Sequence, residues 1–380
     1  MDLKMFFDPI DIDVDKSSSS FQTSIYINSE RMPDHQGLDV ALIGLREYRG
    51  SSNKDGNVES PDEIRKKLYR LKKGFGDYGI VDLGNFRNGP TLDDTYLRLK
   101  EVSSYLMNKG IIPVFFGGSH DLMLGQYYGY EGSDKLVSVL NIDQNIDMEE
   151  DGSPSSSFLN KLFGYEPNYL FGYSHLAYQS YLTNQRDLEL LDQLSFEATR
   201  LGVLKENIQE MEPFVRDADM VSFDLSSLQS TYAPGAFDSK PYGLTGEEAC
   251  QLCWYAGQNE KLSSIGLYNY DSSSDSEDGK NAFVLATMIW YFIEGFYHRK
   301  GDKNFISNDY LQYEVHLGGD PETIRFYKSK KSEKWWMEVP SSENTGIFNR
   351  NRMIACSYKD YEECQAGKIP DRWINFFYKA

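Results

Sequence analysis

Short apolar runs alternate with amphipathic stretches along the chain from residue 38 to residue 298. Eight of these runs are too short for buried helices and carry β-branched or aromatic residues, which favours strands. The predicted strands are Val40–Leu45, Tyr78–Leu83, Ile111–Phe116, Leu136–Ile142, Tyr169–Tyr173, Thr199–Leu204, Met220–Leu225 and Ile265–Tyr270. Strand–helix alternation of this kind predicts a mostly parallel sheet covered by helices on both faces, either open or closed into a barrel.

Helix start and stop signals lie between these runs. The segment beginning Ser60-Pro61-Asp-Glu places proline in a first helical turn with acids beside it. Thr91-Leu-Asp-Asp94 opens a predicted helix over Tyr96–Lys109, and Gly110 is predicted to end it. Thr245-Gly-Glu-Glu248 has the spacing of a capping box.

The two ends of the chain lack this alternation. Residues 1–37 are rich in Asp and Ser, with Lys16-Ser-Ser-Ser-Ser20 at the centre, and are predicted to form an irregular arm. Residues 299–380 carry the basic cluster Lys328-Ser-Lys-Lys331 followed by Trp335-Trp336, which predicts an exposed hairpin and a helix packed on the main domain. We therefore divide the chain into an arm (1–37), an α/β domain (38–298) and a C-terminal extension (299–380).

Composition narrows the class of protein. The 380 residues are 40% hydrophobic and 14% aromatic, which provides ample material for a core. A formal net charge of −19 argues against a general binder of nucleic acid or anionic membranes. Neither a signal peptide nor an apolar run of about 20 residues is present, so we expect a cytoplasmic protein.

The cysteines predict packing and not cross-links. Four cysteines are too few and too scattered for a disulfide framework. Cys250-x-x-Cys253 has the spacing of a redox or zinc motif, but it lies in a helical pattern without a second ligand pair. We expect both side chains to pack in the core.

Candidate chemistry lies at the ends of three predicted strands. His120 follows one strand, Asp143 and Asp147 follow another, and Asp224 ends a third. Parallel strands deliver such residues to one edge of a sheet, so the four side chains converge if their strands are neighbours. Individually the histidine could be structural and the aspartates helix caps. Together they form an oxygen and imidazole set suited to Mn²⁺, Fe²⁺ or Zn²⁺.

Five segments, in a fixed order, carry a resemblance to a known family. They are Gly117-Gly-Ser-His120, Asp143-Gln-Asn-Ile-Asp147, Ser222-Phe-Asp-Leu-Ser226, Ala233-Pro-Gly235 and Gly243-Leu-Thr-Gly-Glu247. They are similar to the Gly-Gly-Asp-His, Asp-Ala-His-x-Asp, Ser-Phe-Asp-x-Asp, Ala-Pro-Gly and Gly-Leu-Thr segments of the arginase/agmatinase/formimidoylglutamase (ureohydrolase) superfamily. The resemblance covers residues 38–298.

The resemblance implies a three-layer α/β/α domain with an eight-stranded, mostly parallel sheet. It also implies a site for two Mn²⁺ ions that activate a hydroxide for attack on a guanidinium or formimidoyl carbon. His120, Asp143, Asp147 and Asp224 match the positions that bind the first ion. Asn145 and Ser226 stand where the second ion has its own histidine and aspartate, and such neutral groups are weaker ligands.

The family's proton-transfer positions also differ in this chain. Asn269 stands at the position of the catalytic glutamate, and an asparagine cannot shuttle a proton. Asp271 could replace that glutamate only with a shift in register. Asn160 is the nearest match to the histidine that assists the leaving group. The catalytic residues are therefore left unassigned.

Two functions remain open from the sequence. The first is a metal-dependent hydrolase of non-peptide C–N bonds in a small molecule such as formimidoylglutamate or a guanidino compound. The second is a catalytically inactive homologue that keeps the fold for binding, assembly or regulation. The retained set favours one Mn²⁺ ion over two or none. The C-terminal extension offers a surface for a protein partner or a second copy of the chain.

Overall fold

The computed structural model describes residues 1–12, 19–52, 56–57, 59–133, 135–302, 307–319, 321–340 and 353–379. The strands are β1 (Phe7–Asp8), β2 (Ile25–Ile27), β3 (Val40–Leu45), β4 (Ile80–Phe86), β5 (Ile112–Gly117), β6 (Val137–Ile142), β7 (Leu170–Tyr178), β8 (Glu197–Arg200), β9 (Met220–Asp224), β10 (Ser264–Tyr268), β11 (Tyr310–His316), β12 (Thr323–Ser329), β13 (Trp335–Glu338) and β14 (Met353–Cys356). The helices are α1 (Ser60–Leu68), α2 (Leu92–Asn108), α3 (Met123–Tyr128), α4 (Pro154–Phe163), α5 (Gln185–Gln193), α6 (Leu201–Glu206), α7 (Glu212–Asp217), α8 (Gly246–Gln258), α9 (Lys280–Tyr297), α10 (Tyr358–Gln365) and α11 (Asp371–Lys379).

The first ten strands form one sheet in the order β1-β4-β3-β5-β10-β9-β6-β7-β8, with β2 paired to β4. Every pairing is parallel except that of β1 with β4. The sheet is open, with β8 at one edge. The predicted α/β fold with eight mostly parallel strands is confirmed, and two short strands from residues 1–37 extend it.

Helices cover both faces of the sheet, and the alternation along β3 shows why. Val40 and Leu42 belong to an apolar cluster with residues of α1, α8 and α9, while Ala41 and Ile43 belong to a second cluster with residues of α2, α3 and α4. Successive side chains of a strand point to opposite faces, so a strand buried on both faces is apolar throughout. The result is a three-layer α/β/α arrangement.

Predicted helix boundaries agree with the capping contacts. The Thr91 hydroxyl accepts from the backbone N–H of Asp94, and the Asp94 carboxylate accepts from that of Thr91. The same reciprocal pair joins Thr245 and Glu248 at the start of α8. Gly110 follows α2 with φ of +75°, a left-handed conformation that favours glycine.

One predicted strand is wrong in its second half. The run Thr199–Leu204 was expected to be extended, but β8 ends at Arg200 and α6 begins at Leu201. In that helix Leu204 is buried while Gly202 and Lys205 are exposed. One buried residue per turn is the pattern of a short surface helix, which a six-residue window does not distinguish from a strand.

The ends of the chain are more regular than their composition indicates. The centre of the predicted arm, residues 13–18, lies outside the described residues, while β1 and β2 join the sheet. The described part of 299–380 forms a four-stranded antiparallel sheet in the order β11-β12-β13-β14 with α10 and α11. The hairpin after Lys328–Lys331 exists, but its expected exposure is wrong, because Trp335 and Trp336 are 8% and 7% exposed.

Arg216 on α7 joins the C-terminal sheet to the main domain. Its Nη1 and Nη2 donate to the carbonyl oxygens of Trp335 (2.9 Å) and Cys356 (3.1 Å). Its guanidinium carbon lies 4.2 Å from the centre of the Trp336 ring, and its Nε pairs with Glu212 at 3.0 Å. One buried guanidinium therefore satisfies two strands of the C-terminal sheet.

Two glycines let α8 and α9 approach closely. A Cβ on Gly257 would lie 2.1 Å from the carbonyl oxygen of Phe292, and one on Gly295 would lie 2.5 Å from that of Trp254. Backbone meets backbone here, so neither position has room for a side chain.

All four cysteines are buried free thiols, and the predicted core packing of Cys250 and Cys253 is observed. Cys250 and Cys253 on α8 belong to the apolar core, and Cys356 and Cys364 belong to the core of the C-terminal sheet. Burial raises the pKa of Cys250 and of Cys364 to about 11 in each case. Within the described residues, we find no helix with both the length and the apolar character needed to cross a membrane.

Candidate metal centre

The predicted site residues meet at the carboxyl edge of the sheet. His120 follows β5, Asp143 and Asp147 follow β6, and Asp224 ends β9. Strands β6 and β9 are direct neighbours, and β10 lies between β9 and β5. The sheet order therefore places all four side chains around one point.

A glycine pair turns the chain so that His120 reaches that point. Gly117 and Gly118 have φ of +86° and +70°, in the left-handed region. A Cβ on Gly117 would lie 2.8 Å from the carbonyl oxygen of Leu45, and one on Gly118 would lie 2.6 Å from Leu122 Cδ1. Only glycine fits this turn without displacing its neighbours.

The donor atoms converge on the Nδ1 atom of His120. Asp224 Oδ2 lies 3.0 Å from it, Asp143 Oδ2 lies 3.1 Å away, and Asp147 Oδ2 lies 3.6 Å away. Ligand atoms of His120, Asp143 and Asp147 lie within 4.8 Å of one another, and Asp224 is not part of that mutual set. Exposure is 1% for His120, 1% for Asp143, 8% for Asp147 and 4% for Asp224.

Two of these donor atoms lack a hydrogen-bond partner. His120 Nδ1 and Asp143 Oδ2 are buried, and in spite of their short separation neither meets the geometry of a hydrogen bond. The other ring nitrogen, Nε2, lies 2.8 Å from the hydroxyl oxygen of Ser222. If Nε2 carries the proton and donates it to Ser222, the lone pair of Nδ1 faces the carboxylates, as metal ligation requires. The set fits a divalent cation.

The pKa shifts of the cluster also indicate a site for a cation. Burial lowers the pKa of His120, but the charge of Asp224 and the contacts with Asp143 and Asp147 raise it well above its usual 6.5. Burial and the charge of Asp143 raise the pKa of Asp147 well above 3.8 and also raise that of Asp224. Without a cation, the cluster offsets its clustered negative charge by holding protons.

Ser226 and Asn145 lie beside Asp143 as neutral groups. The Ser226 hydroxyl donates to Asp143 Oδ1 at 3.3 Å, and its backbone N–H donates to Asp224 Oδ1 at 2.6 Å. The backbone N–H of Asn145 donates to Asp143 Oδ1 at 3.2 Å. Hydrogen bonds from Ser226 and Asn145 therefore hold the Oδ1 atoms of Asp143 and Asp224 in place.

Asn269 holds Asp224 directly. Its Nδ2 donates to both carboxylate oxygens of Asp224, at 2.8 and 3.0 Å, from a backbone with φ of +73°. Asp271 is engaged elsewhere, since it accepts from the backbone N–H groups of Asn57 and Ser273 at 3.0 Å each. Asn160 is exposed on α4, and its Nδ2 lies 3.4 Å from the carbonyl oxygen of Glu149.

Sequence reasoning missed the groups behind the cluster. His175 is fully buried on β7, with Nε2 3.1 Å from the Asp143 carbonyl oxygen and Nδ1 2.9 Å from the Tyr173 hydroxyl. Phe158 on α4 packs its ring 4.7 Å from that of His120. The position of Ser222 two residues before Asp224, on the same face of β9, was the available signal for its role.

Comparison with known proteins was made on this fold and this site. A sequence model described as the arginase family matches residues 38–294. A formimidoylglutamase of Staphylococcus haemolyticus is 24% identical over 313 residues, covering 76% of this chain and 97% of that protein. One from a Geobacillus species is 25% identical over 277 residues, covering 68% and 84%.

Solved structures show the same fold. Formimidoylglutamase from Bacillus subtilis superposes with a TM-score of 0.66 at 17% identity, covering 79% of this chain and 98% of that one. Trypanosoma cruzi formiminoglutamase with Mn²⁺ gives a TM-score of 0.64 at 20% identity, covering 70% and 96%. The family match spans well over half of the chain and includes every residue of the cluster. This protein belongs to the arginase family.

Proposed function

We propose that the protein hydrolyses a C–N bond in a formimidoyl or guanidino compound, with formimidoylglutamate as the first candidate, using one Mn²⁺ ion. The ligands would be His120, Asp143, Asp147 and Asp224. The observation that carries the proposal is the pair of buried atoms without hydrogen-bond partners, His120 Nδ1 and Asp143 Oδ2, at the centre of the cluster. The relatives named formimidoylglutamase support the substrate class.

Hydrogen bonds from the chain favour one ion over two. A second ion would need the Oδ1 atoms of Asp143 and Asp224, which already accept hydrogen bonds from the hydroxyl and the backbone N–H of Ser226. It would also need a ligand of its own, and the side chains of Asn145 and Ser226 offer only neutral oxygen atoms. We therefore place a single ion on the His120 side.

Mn²⁺ bound there supplies Lewis acidity that makes a water molecule nucleophilic at neutral pH. Ser222 orients His120 through Nε2, and Asn269 fixes the carboxylate of Asp224. Neither Asn269 nor Asp271 replaces the family's glutamate, because Asn269 carries no titratable proton and Asp271 is engaged by backbone N–H groups. General acid catalysis contributes about 10²- to 10⁴-fold, so we expect turnover slower by that order than with a carboxyl group in place.

Three further points extend the proposal. We assign catalysis to residues 38–298. We assign the role of a structural arm to residues 1–37 and an auxiliary role to residues 299–380. We place the reaction in the cytoplasm, because free buried thiols are typical of a reducing compartment. Assembly into an oligomer, or docking of a protein partner on 299–380, stays a prediction.

Metal content and turnover test the proposal together. Purified full-length protein is incubated with Mn²⁺, freed of excess metal, and assayed with formimidoylglutamate, agmatine and arginine. We expect about one Mn²⁺ per chain and hydrolysis of one substrate. Asp143→Asn should abolish both, because it removes a charged ligand from the centre of the cluster. Asp360→Asn removes the same charge from α10 and should change neither.

Two outcomes would contradict parts of this picture. Absence of both Mn²⁺ binding and turnover overturns the proposal. Bound Mn²⁺ without turnover on any of the three substrates supports instead the inactive homologue that the sequence left open.

A further inference from the structure

A cavity of about 540 Å³ lies at the edge of the sheet opposite the candidate metal centre. Its walls include the amino ends of β6 and β7, the residues just before β9, and the C-terminal extension. The metal cluster lies at the carboxyl ends of β6 and β9, so the two sites are separate. This volume is within the range of about 300–1,000 Å³ that is usual for small-molecule sites.

Helix α11 presents one face to this cavity. Arg372, Asn375, Phe376 and Lys379 all line it, at spacings of three, four and seven residues. That spacing places them on one side of a helix. Trp373 lies outside this set and is buried in the core of the C-terminal sheet. The helix therefore anchors itself with one face and offers a polar face to the cavity.

Arg372 is a partly buried cation whose charge lies near those of Glu197 and Asp217. Its Nε and Nη1 atoms are buried and make no hydrogen bond. Its guanidinium carbon lies 3.9 Å from the centre of the Phe214 ring, which fixes the plane of the group. Among the described residues it forms no ion pair within 4.0 Å. Buried guanidinium nitrogens normally have hydrogen-bond partners, so these two nitrogens indicate a place for an acceptor group of a ligand.

A second cation and two acids share the cavity wall. Lys379 lies 5.6 Å from the Phe196 ring centre and forms no ion pair within 4.0 Å in the described part of the chain. Glu197 accepts from the Ser174 hydroxyl at 3.2 Å, and Asp217 accepts from the backbone N–H of Ala355 at 3.1 Å. Six cationic and five acidic side chains line the cavity in all. Among them, Arg372 and Lys379 lie near Glu197 and Asp217 without an ion pair within 4.0 Å between the two signs.

We propose that this cavity binds a free α-amino acid. Its carboxylate would lie between Arg372 and Lys379, since a guanidinium is a planar donor suited to a carboxylate. Its ammonium group would face Glu197 and Asp217, and its side chain would contact the Phe214 ring.

The charge arrangement selects a zwitterion over simpler ions. An inorganic anion would gain from Arg372 and Lys379 but would be repelled by Glu197 and Asp217. A cation without a carboxylate would leave Arg372 unpaired. A ligand that carries both charges can meet Arg372 and Lys379 with one end and Glu197 and Asp217 with the other. The inference rests on the cavity alone and does not depend on the hydrolase activity.

Binding to the full-length protein tests the inference. The probes are the common free L-amino acids, screened by their effect on the melting temperature and then measured by calorimetry, with glutarate and inorganic phosphate as comparators. We expect at least one amino acid to raise the melting temperature and bind saturably, because a ligand that binds only the folded state stabilises it. Glutarate and phosphate should bind more weakly, since neither has an ammonium group.

Matched variants assign the binding to the cavity. Arg372→Met keeps an unbranched apolar stem and removes the guanidinium, and it should weaken binding about tenfold or more. Arg186→Met removes an arginine that is 83% exposed on α5 and should leave binding unchanged. The melting temperature of each free variant shows whether it folds.

The following results would overturn the inference. Absence of binding by every amino acid in the panel would do so, as would equal binding to wild type and a folded Arg372→Met variant. Glutarate or phosphate binding as tightly as the best amino acid would replace the zwitterion with an anion and contradict the assigned role of Glu197 and Asp217.

Discussion

At the scale of single residues, neutral side chains lie next to the charged ones of the candidate metal centre and donate hydrogen bonds to them. Asn269 and Ser226 donate hydrogen bonds to the aspartates that a second ion would share. Such donors stabilise the carboxylate form without adding a ligand. These hydrogen bonds therefore hold the carboxylates of the cluster in place.

Adding the ligand pair that the family resemblance implies for a second ion should create a second metal site. The double substitution Asn145→His with Ser226→Asp adds an imidazole and a carboxylate beside Asp143 and Asp224. We expect bound Mn²⁺ to rise from about one to about two per chain, because good nitrogen and charged oxygen donors replace neutral ones. Elemental analysis after removal of free metal measures this. Asn145→Gln with Ser226→Asn is the control and should leave the stoichiometry unchanged; an unchanged stoichiometry in the first variant would show that these positions are misassigned.

His175 should make stability depend on pH. Burial lowers its pKa to about 4, against about 6.5 in an unfolded chain. Between these values the unfolded chain binds more protons than the folded one, so stability is fully present above pH 6.5 and falls as the pH drops toward 4. The difference amounts to about 3 kcal/mol. His175→Gln should flatten this slope in urea unfolding of metal-free protein, and a slope equal to that of wild type would contradict the assignment.

Sequence reasoning found the cluster but not its supports. His120, Asp143, Asp147 and Asp224 stand in recognisable strand-end segments, so their convergence could be predicted from a parallel sheet. The contacts of His175 and Ser222 depend on the register between neighbouring strands, such as Asn141 beside both His175 and Ser222. Register is set by packing of the whole sheet, which a local pattern does not encode.

Helices and strands were predicted correctly where their sequence signals lie within a few neighbouring residues. The capping boxes of α2 and α8 and the apolar runs of the sheet are written within a few residues each. The short helix α6 and the sheet β11–β14 were not predicted in their observed form. Their side chains alternate weakly, and their conformation depends on what they pack against.

The crossing of α8 and α9 should tolerate no added methyl group. Gly257→Ala would place a Cβ 2.1 Å from a backbone oxygen of the facing helix. We expect a loss of about 1–3 kcal/mol in unfolding free energy, because the two helices must separate. Chemical denaturation with an intrinsic tryptophan signal measures it.

Gly202→Ala is the matched control, since it lies in helix α6 with its nearest atoms 3.7 Å from the added Cβ. It should stabilise by about 0.5–1 kcal/mol, as alanine loses less backbone entropy in a helix than glycine. Equal effects of the two substitutions would show that the close approach of the helices is unimportant.

At the scale of the whole molecule, the main domain and the C-terminal sheet are joined through buried polar contacts. The change in pattern near Arg299 predicts a boundary there, but it does not indicate which residues are in contact across it. Arg216 precedes that boundary by some eighty residues, yet it bonds to β13 and β14. Contacts between such distant segments follow from the folded surface and not from either segment alone.

Arg216→Lys should weaken this junction in spite of conserving the charge. An ammonium cannot donate to two separate carbonyl oxygens while also stacking on the Trp336 ring, so at least one buried acceptor loses its donor. We expect a loss of about 2 kcal/mol in stability. Arg186→Lys, at an exposed pair with Glu150, should change stability by less than about 0.5 kcal/mol. A similar small effect at both positions would show that the junction does not depend on Arg216.

The rate at which the buried thiols are labelled should report how fast the folded chain opens. A thiol reagent needs an accessible thiolate, and burial denies both access and ionisation to each cysteine. Labelling can then proceed only as fast as the surrounding structure opens. The labelling rates of Cys250 and Cys253 report the opening of α8, whereas those of Cys356 and Cys364 report the opening of the C-terminal sheet. A single reagent thus distinguishes, residue by residue, a molecule that opens as one unit from one whose two parts open separately.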